Sequence, residues 1–137
     1  MRLSAAVALI VTGLAVASCG GIVDPSKNTV DTFNGTLAVG GSMTHGFSAS
    51  KTGEISVKIT SLAPVQNTLV GLLWSQALSD GSCSTQQIGA VYQQNAFAQV
   101  NIPGISGSIL QGKYCLMVYD SGGVTQTETY TVTVSHP

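Results

Sequence analysis

Beyond residue 19 the side chains able to do demanding chemistry are few: two cysteines, two histidines and six carboxylates. Cys83 and Cys115 lie 32 positions apart. In a chain exported to an oxidising compartment such an even pair reads as a disulfide, contributing roughly 3–4 kcal/mol in the chain-entropy model. A metal pair is the competing reading, but no further His or Cys stands close enough in sequence to complete a zinc-type set. His45 shares the Met43/Phe47 face of an alternating run, so it reads as a partly buried histidine hydrogen-bonded in or beside the core. Pairing it with Ser42 as a nucleophile lacks both a nucleophile elbow and an identifiable orienting acid. His136 stands next to the C-terminus, where fraying is expected. The six acids are too scattered to assemble the paired carboxylates of glycoside hydrolysis. Asp120, before Ser121-Gly122-Gly123, reads as a turn starter. With Asp80 and Glu128 it is a candidate calcium ligand, yet no D-x-D-x-D cluster groups the three. Trp74, among Val70, Leu72 and Leu73, reads as a core residue; the alternative is a sugar-stacking platform with Tyr92 or Tyr119. The expectation is therefore no catalytic residue, no metal and no cofactor.

The elements that must position these residues are strands. In Gly53 to Leu62, Ile55, Val57 and Ile59 alternate with Ser56, Lys58 and Thr60, and Tyr130, Val132 and Val134 alternate with Thr131, Thr133 and Ser135. That is the period of a half-buried strand. Leu69 to Trp74 and Tyr114 to Tyr119 are apolar on both faces, which suits strands in the middle of a packed sheet. Turn signals such as Gly40-Gly41, Asp80-Gly81, Pro103-Gly104 and Ser121-Gly122-Gly123 separate the runs. About eight strands are predicted, near 30–38, 42–49, 53–61, 68–76, 86–92, 96–102, 112–119 and 127–135. No stretch offers an amphipathic helix. The fold class expected is all-β, an antiparallel β-sandwich or jelly roll of about eight strands, with an up-and-down barrel as the alternative. The strands are too short, and aromatic girdles too sparse, for a transmembrane barrel.

The chain has 137 residues, 44% hydrophobic and 8% charged, with a net charge of −1. One domain fits that length. Only five Lys and Arg are present, too few for the cationic stripe that nucleic-acid binding requires. Arg2 precedes an apolar stretch of 12 residues, Ala5 to Val16, shorter than the roughly 20 that span a bilayer and typical of a signal-peptide core. It runs into Val16-Ala17-Ser18-Cys19-Gly20. This resembles the bacterial lipobox, with Val16 in place of the more usual Leu; an ordinary secretory signal cut near Ala17 is the other reading. The resemblance implies acylation at Cys19, removal of residues 1–18 and, with Gly20 rather than Asp after the cysteine, sorting to the outer membrane. Two or more acyl chains hold a protein stably where one is marginal. Residues 19–28 read as a flexible tether and 29–137 as the domain. Without its leader the chain has four lysines and six acids, a balance of −2, and no arginine.

A second resemblance covers nearly all of residues 30–137. Leu37-Ala38-Val39-Gly40-Gly41-Ser42-Met43-Thr44-His45-Gly46-Phe47, then Gly53-Glu54-Ile55-Ser56-Val57 with Leu62-Ala63-Pro64, then Gly112 to Asp120, and the closing Tyr130 to Pro137, resemble the bacterial pre-peptidase C-terminal domain and its free-standing lipoprotein relatives. The resemblance implies a jelly-roll-like sandwich acting as an accessory module without catalytic residues; some relatives bind calcium. The function expected is thus a lipid-anchored, non-catalytic envelope protein with a structural or protein- or polysaccharide-binding role. A carbohydrate-binding module and an accessory partner of a separately encoded exported enzyme are the alternatives. An aromatic-lined groove would favour the former, and an exposed apolar patch on one sheet face the latter.

Overall fold

The computed structural model describes residues 25–83, 94–98, 100 and 103–137. A 3-10 turn, Pro25–Lys27, leads into eight strands. These are β1 (Thr29–Leu37), β2 (Ser42–Ala49), β3 (Gly53–Ala63), β4 (Val70–Gln76), β5 (Gln94–Ala98), β6 (Pro103–Ile109), β7 (Gly112–Asp120) and β8 (Glu128–His136). They form two antiparallel sheets, ordered β1-β8-β3-β6 and β2-β7-β4-β5. Every connection except β4 to β5 crosses from one sheet to the other, and this nested order is that of a jelly roll.

Alternation drives the assembly. Ile55, Val57 and Ile59 on β3 and Val132 and Val134 on β8 meet Leu72 and Trp74 on β4 and Leu116 and Val118 on β7, all at most 2% exposed. At roughly 1.5–3 kcal/mol per fully buried aliphatic side chain, this layer is the main stabilising term. A bulge between Ile59 and Ser61 shifts the pairing of β3 with β8. Leu62 thereby turns to the same side as Ile55, Val57 and Ile59, and the hydroxyl of Ser61 stays outside.

Six predicted strands coincide with β1–β4, β7 and β8 to within a few residues. The strand expected at 86–92 lies outside the described residues, and the one expected at 96–102 is β5, ending at Ala98. No strand is expected over 103–109, where Pro103-Gly104 reads as the turn between two runs. These residues form β6, an edge strand that sends Ile105 and Ile109 into the core, and the edge tolerates a leading proline that donates no ladder bond.

The pairing sets two ends. The near end gathers Asn28, the β2–β3 and β6–β7 turns and Pro137, whose carbonyl accepts from Ser50 N–H at 2.9 Å. Asn28, read from sequence as tether, donates to the Glu54 carbonyl at 3.0 Å. The far end carries the loops 38–41, 64–69 and 121–127.

Candidate functional site

Both histidines beyond the leader lie at the seam where β1 and β2 bring the two sheets together. His45 points inward from β2, and its Nε2 is 2.7 Å from the Tyr130 hydroxyl on β8. Phe33 of β1 stacks on the imidazole, with centroids 4.8 Å apart. Tyr130 reaches this position because its cross-strand neighbour is Gly35; a Cβ there would collide with the phenol ring. Burial lowers the His45 pKa below 6.5 and pushes Tyr130 up to about 12. The pair is thus a neutral hydrogen bond near pH 7. Ser42, by the alternation of β2, belongs to the outward face, away from this imidazole.

His136 does not fray: it is 4% exposed and its Nε2 lies 3.0 Å from Asp31 Oδ2. The terminal strand is held because β8 sits between β1 and β3, paired on both edges. Sequence reasoning missed Asp31 and Tyr130 as the histidines' partners. The usable signal for Asp31 was its place on the Phe33 face of β1, where a lone carboxylate needs a partner.

The three acids considered for calcium are each committed to backbone. Asp120 begins its turn as expected: Oδ1 accepts from Gly122 N–H at 2.7 Å and Val124 N–H at 3.0 Å, while Oδ2 accepts from Gly40 N–H at 2.8 Å. The bonds from Gly40 and Val124 do most to hold its carboxyl below the usual range. Asp80 Oδ1 accepts from the Ser82 hydroxyl and N–H at 2.6 and 2.9 Å, which likewise lowers its pKa. Glu128 is fully buried; its Oε2 accepts from Val65 N–H at 3.0 Å, while its Oε1 meets no hydrogen-bond partner among the described residues. Among the described residues no three His, Cys, Asp or Glu side chains come together.

Cys83 and Cys115 form a disulfide, with Cα atoms 5.0 Å apart. Cys115 points outward from β7, and with Leu73, Cys83, Met117 and Tyr119 it builds a second, smaller apolar cluster on the outside of the β2-β7-β4-β5 sheet. Trp74 is 2% exposed and meets Tyr114 edge-on at 5.4 Å, so it is a core residue and not a sugar platform. Tyr92 and Cys19 lie outside the described residues.

The outer face of the β1-β8-β3-β6 sheet is of another kind. Thr129, Thr131, Thr133 and Ser135 project from β8, flanked by Thr32, Asn34 and Thr36 on β1 and by Ser56 and Lys58 on β3. Thr131 donates to Asn34 Oδ1 at 2.7 Å, which preorders part of the array. Two open depressions lie on this face. One, of about 380 Å³, is lined by Asn28, Glu54, Ser56, Ser106, Ser108 and Ser135. The other, of about 470 Å³, is lined by Asn34, Thr36, Ser61, Thr129 and Thr131. Thr60, Thr129 and Thr133 donate to the carbonyls of Thr131, Ala63 and Lys58, so the face offers chiefly hydroxyl-oxygen acceptors and little charge, which suits a neutral ligand rich in hydroxyl donors. No known family model matches the chain, and no curated protein matches it.

Proposed function

We propose that this protein is a lipid-anchored, non-catalytic β-sandwich of the bacterial cell envelope, held at the outer membrane through Cys19, which contacts envelope polysaccharide through the outer face of its β1-β8-β3-β6 sheet. The observation that carries the reading is that hydroxyl array, covered by no element among the described residues, with its two depressions on one face. The groups a catalyst would use support the non-catalytic part: His45 is engaged by Tyr130, His136 by Asp31, and Asp80, Asp120 and Glu128 by backbone amides. The jelly-roll order agrees with the architecture implied by the likeness to pre-peptidase C-terminal domains, whose role as accessory modules points the same way.

The test has two arms. Intact mass of the protein from membrane fractions is expected to begin at Cys19 with acyl chains, and Cys19→Ala to lose them. Co-sedimentation with insoluble cell-wall polysaccharide is expected for the wild type and to fall at least about tenfold in Thr131→Lys/Thr133→Lys, a loss worth roughly 1.4 kcal/mol. Equal co-sedimentation of both would remove this face from the proposal.

A second reading, an accessory partner for an exported enzyme, is favoured by the far end. Its loops expose Val39, Val65 and Leu69 at 59%, 38% and 41%. They are braced by Gly40 N–H to Asp120, Ser121 Oγ to the Leu69 carbonyl and Val65 N–H to Glu128. These apolar side chains sit on loop tips and not on a sheet face, so the reading stays second.

A further inference from the structure

The edges of the two sheets are unequally protected against pairing with a further strand. β6 opens with Pro103, and its pairing with β3 shifts between Val57 and Lys58. β5 has only five residues. Proline, broken register and shortness are the usual guards of a sheet edge. β1 has none of them: its nine residues pair with β8 without a register shift and include no proline, lysine or arginine. β2, which runs beside it at the seam, is free of the same three residue types over its eight positions.

The hydrogen bonds on β8 show which backbone groups of β1 are left over. The Thr131 carbonyl accepts from Thr60 of β3, and Thr133 donates to the Lys58 carbonyl of β3. Odd-numbered residues of β8 therefore turn their N–H and C=O toward β3, and even-numbered ones toward β1. Tyr130, Val132 and Val134 stand opposite Gly35, Phe33 and Asp31, so those residues of β1 face β8. Val30, Thr32, Asn34 and Thr36 accordingly direct four N–H and four C=O groups away from the sheet, and among the described residues no strand pairs with them. All four residues are exposed.

A second copy of β1 matches this edge. Run antiparallel about a two-fold axis at Phe33, two such strands set Val30 opposite Thr36 and Thr32 opposite Asn34, so every outward N–H and C=O of both copies pairs over the full strand. Phe33, half-buried against His45, then meets its counterpart at the axis as a cross-strand aromatic pair. Val30, 59% exposed, gains the methyl group of Thr36. Asp31 is the strand's one charged residue and is engaged by His136. It stands opposite Gly35 and about 14 Å along the pair from its counterpart, beyond the screening length of physiological salt. We infer that this protein pairs with a second copy of itself through the free edges of β1, joining two β1-β8-β3-β6 sheets into one. The two hydroxyl faces thereby become one continuous face, to which a long chain ligand binds at both halves at once. The pairing does not rest on the polysaccharide reading, whose failure shows separately in co-sedimentation.

The chain from Cys19 onward contains every described element, and Cys19→Ala removes its one thiol outside the disulfide. Sedimentation velocity of this protein between about 10 μM and about 1 mM is expected to show a reversible monomer–dimer equilibrium. Thr32→Pro deletes an N–H that β8 does not use, and Thr32→Lys adds a guard to the edge at an exposed position whose substitution leaves the fold intact. Each is expected to weaken association about tenfold or more, with the circular dichroism spectrum unchanged. Register is read by cross-linking under mild oxidation. A mixture of Thr32→Cys and Asn34→Cys proteins is expected to form a disulfide faster than either alone, because only unlike positions stand within bridging distance. Association indifferent to Thr32→Lys, growth beyond a dimer, or equal cross-linking in the mixture and in each protein alone would overturn the inference. So would a chain that stays monomeric at about 1 mM, which would leave the edge to a strand from a different protein.

Discussion

Each sheet turns one side to the core and one away from it, and the two outward sides are built from different chemistry. On β3 and β8 the outward positions are Ser, Thr, Glu and Lys, and the face is open. On β4 and β7 they are Gly71, Leu73, Ser75, Cys115, Met117 and Tyr119, with Lys113 exposed at the start of β7, and the segment reaching Cys83 closes over part of them. All four strands are interior in their sheets. An apolar run on both faces therefore reports a second layer resting on the outer side, since a central position alone leaves β8 alternating throughout and β3 alternating except at its bulge. The covered face contributes stability through burial and a cross-link, and the open face is left available for contact.

The comparison breaks most sharply at the disulfide. Cys83→Ala/Cys115→Ala is expected to lose about 3–4 kcal/mol in urea unfolding. Hydrogen exchange should then accelerate at β4 and β7 while the paired amides of β3 and β8 keep their protection relative to one another. Unchanged stability would mean the outer cluster holds without its cross-link.

A smaller effect is expected at Gly71, which lies opposite Tyr119 so that the phenol ring packs over the bare backbone; a Cβ there would overlap that ring. Gly71→Ala should cost about 1–3 kcal/mol. Most of that cost should disappear when the same change is made in a Tyr119→Ala background, because the double-mutant cycle removes the clash. The smallest effect belongs to the open face. Thr133→Val gives up one weak hydroxyl bond to the Lys58 carbonyl and should change stability by less than about 0.5 kcal/mol. A larger loss in chemical denaturation would show that the hydroxyl array is structural.

Much of this was legible in the residue order. Ile55, Val57, Ile59, Val132 and Val134 announce their strands by a period of two, and Trp74 reads as core from its neighbours. The cysteine pairing follows from an even count. Asp120 declares its turn because a carboxylate two residues before a glycine can accept that residue's N–H locally. In each case the decisive interaction lies within a few residues, or follows from a pattern that says which side of a strand is buried.

Other features needed the assembled sandwich. That β6 is a strand follows from the edge of β3, which gives Pro103–Ile109 a partner despite a composition that reads as turn. That His45 meets Tyr130 across 85 positions, and that His136 meets Asp31 across 105, depends on which strands the jelly-roll order makes neighbours. Alternation tells each side chain whether it faces in or out, because that is a local property of an extended backbone. Who stands opposite is a property of register and sheet order, which depend on contacts between distant segments and which one strand's pattern does not contain.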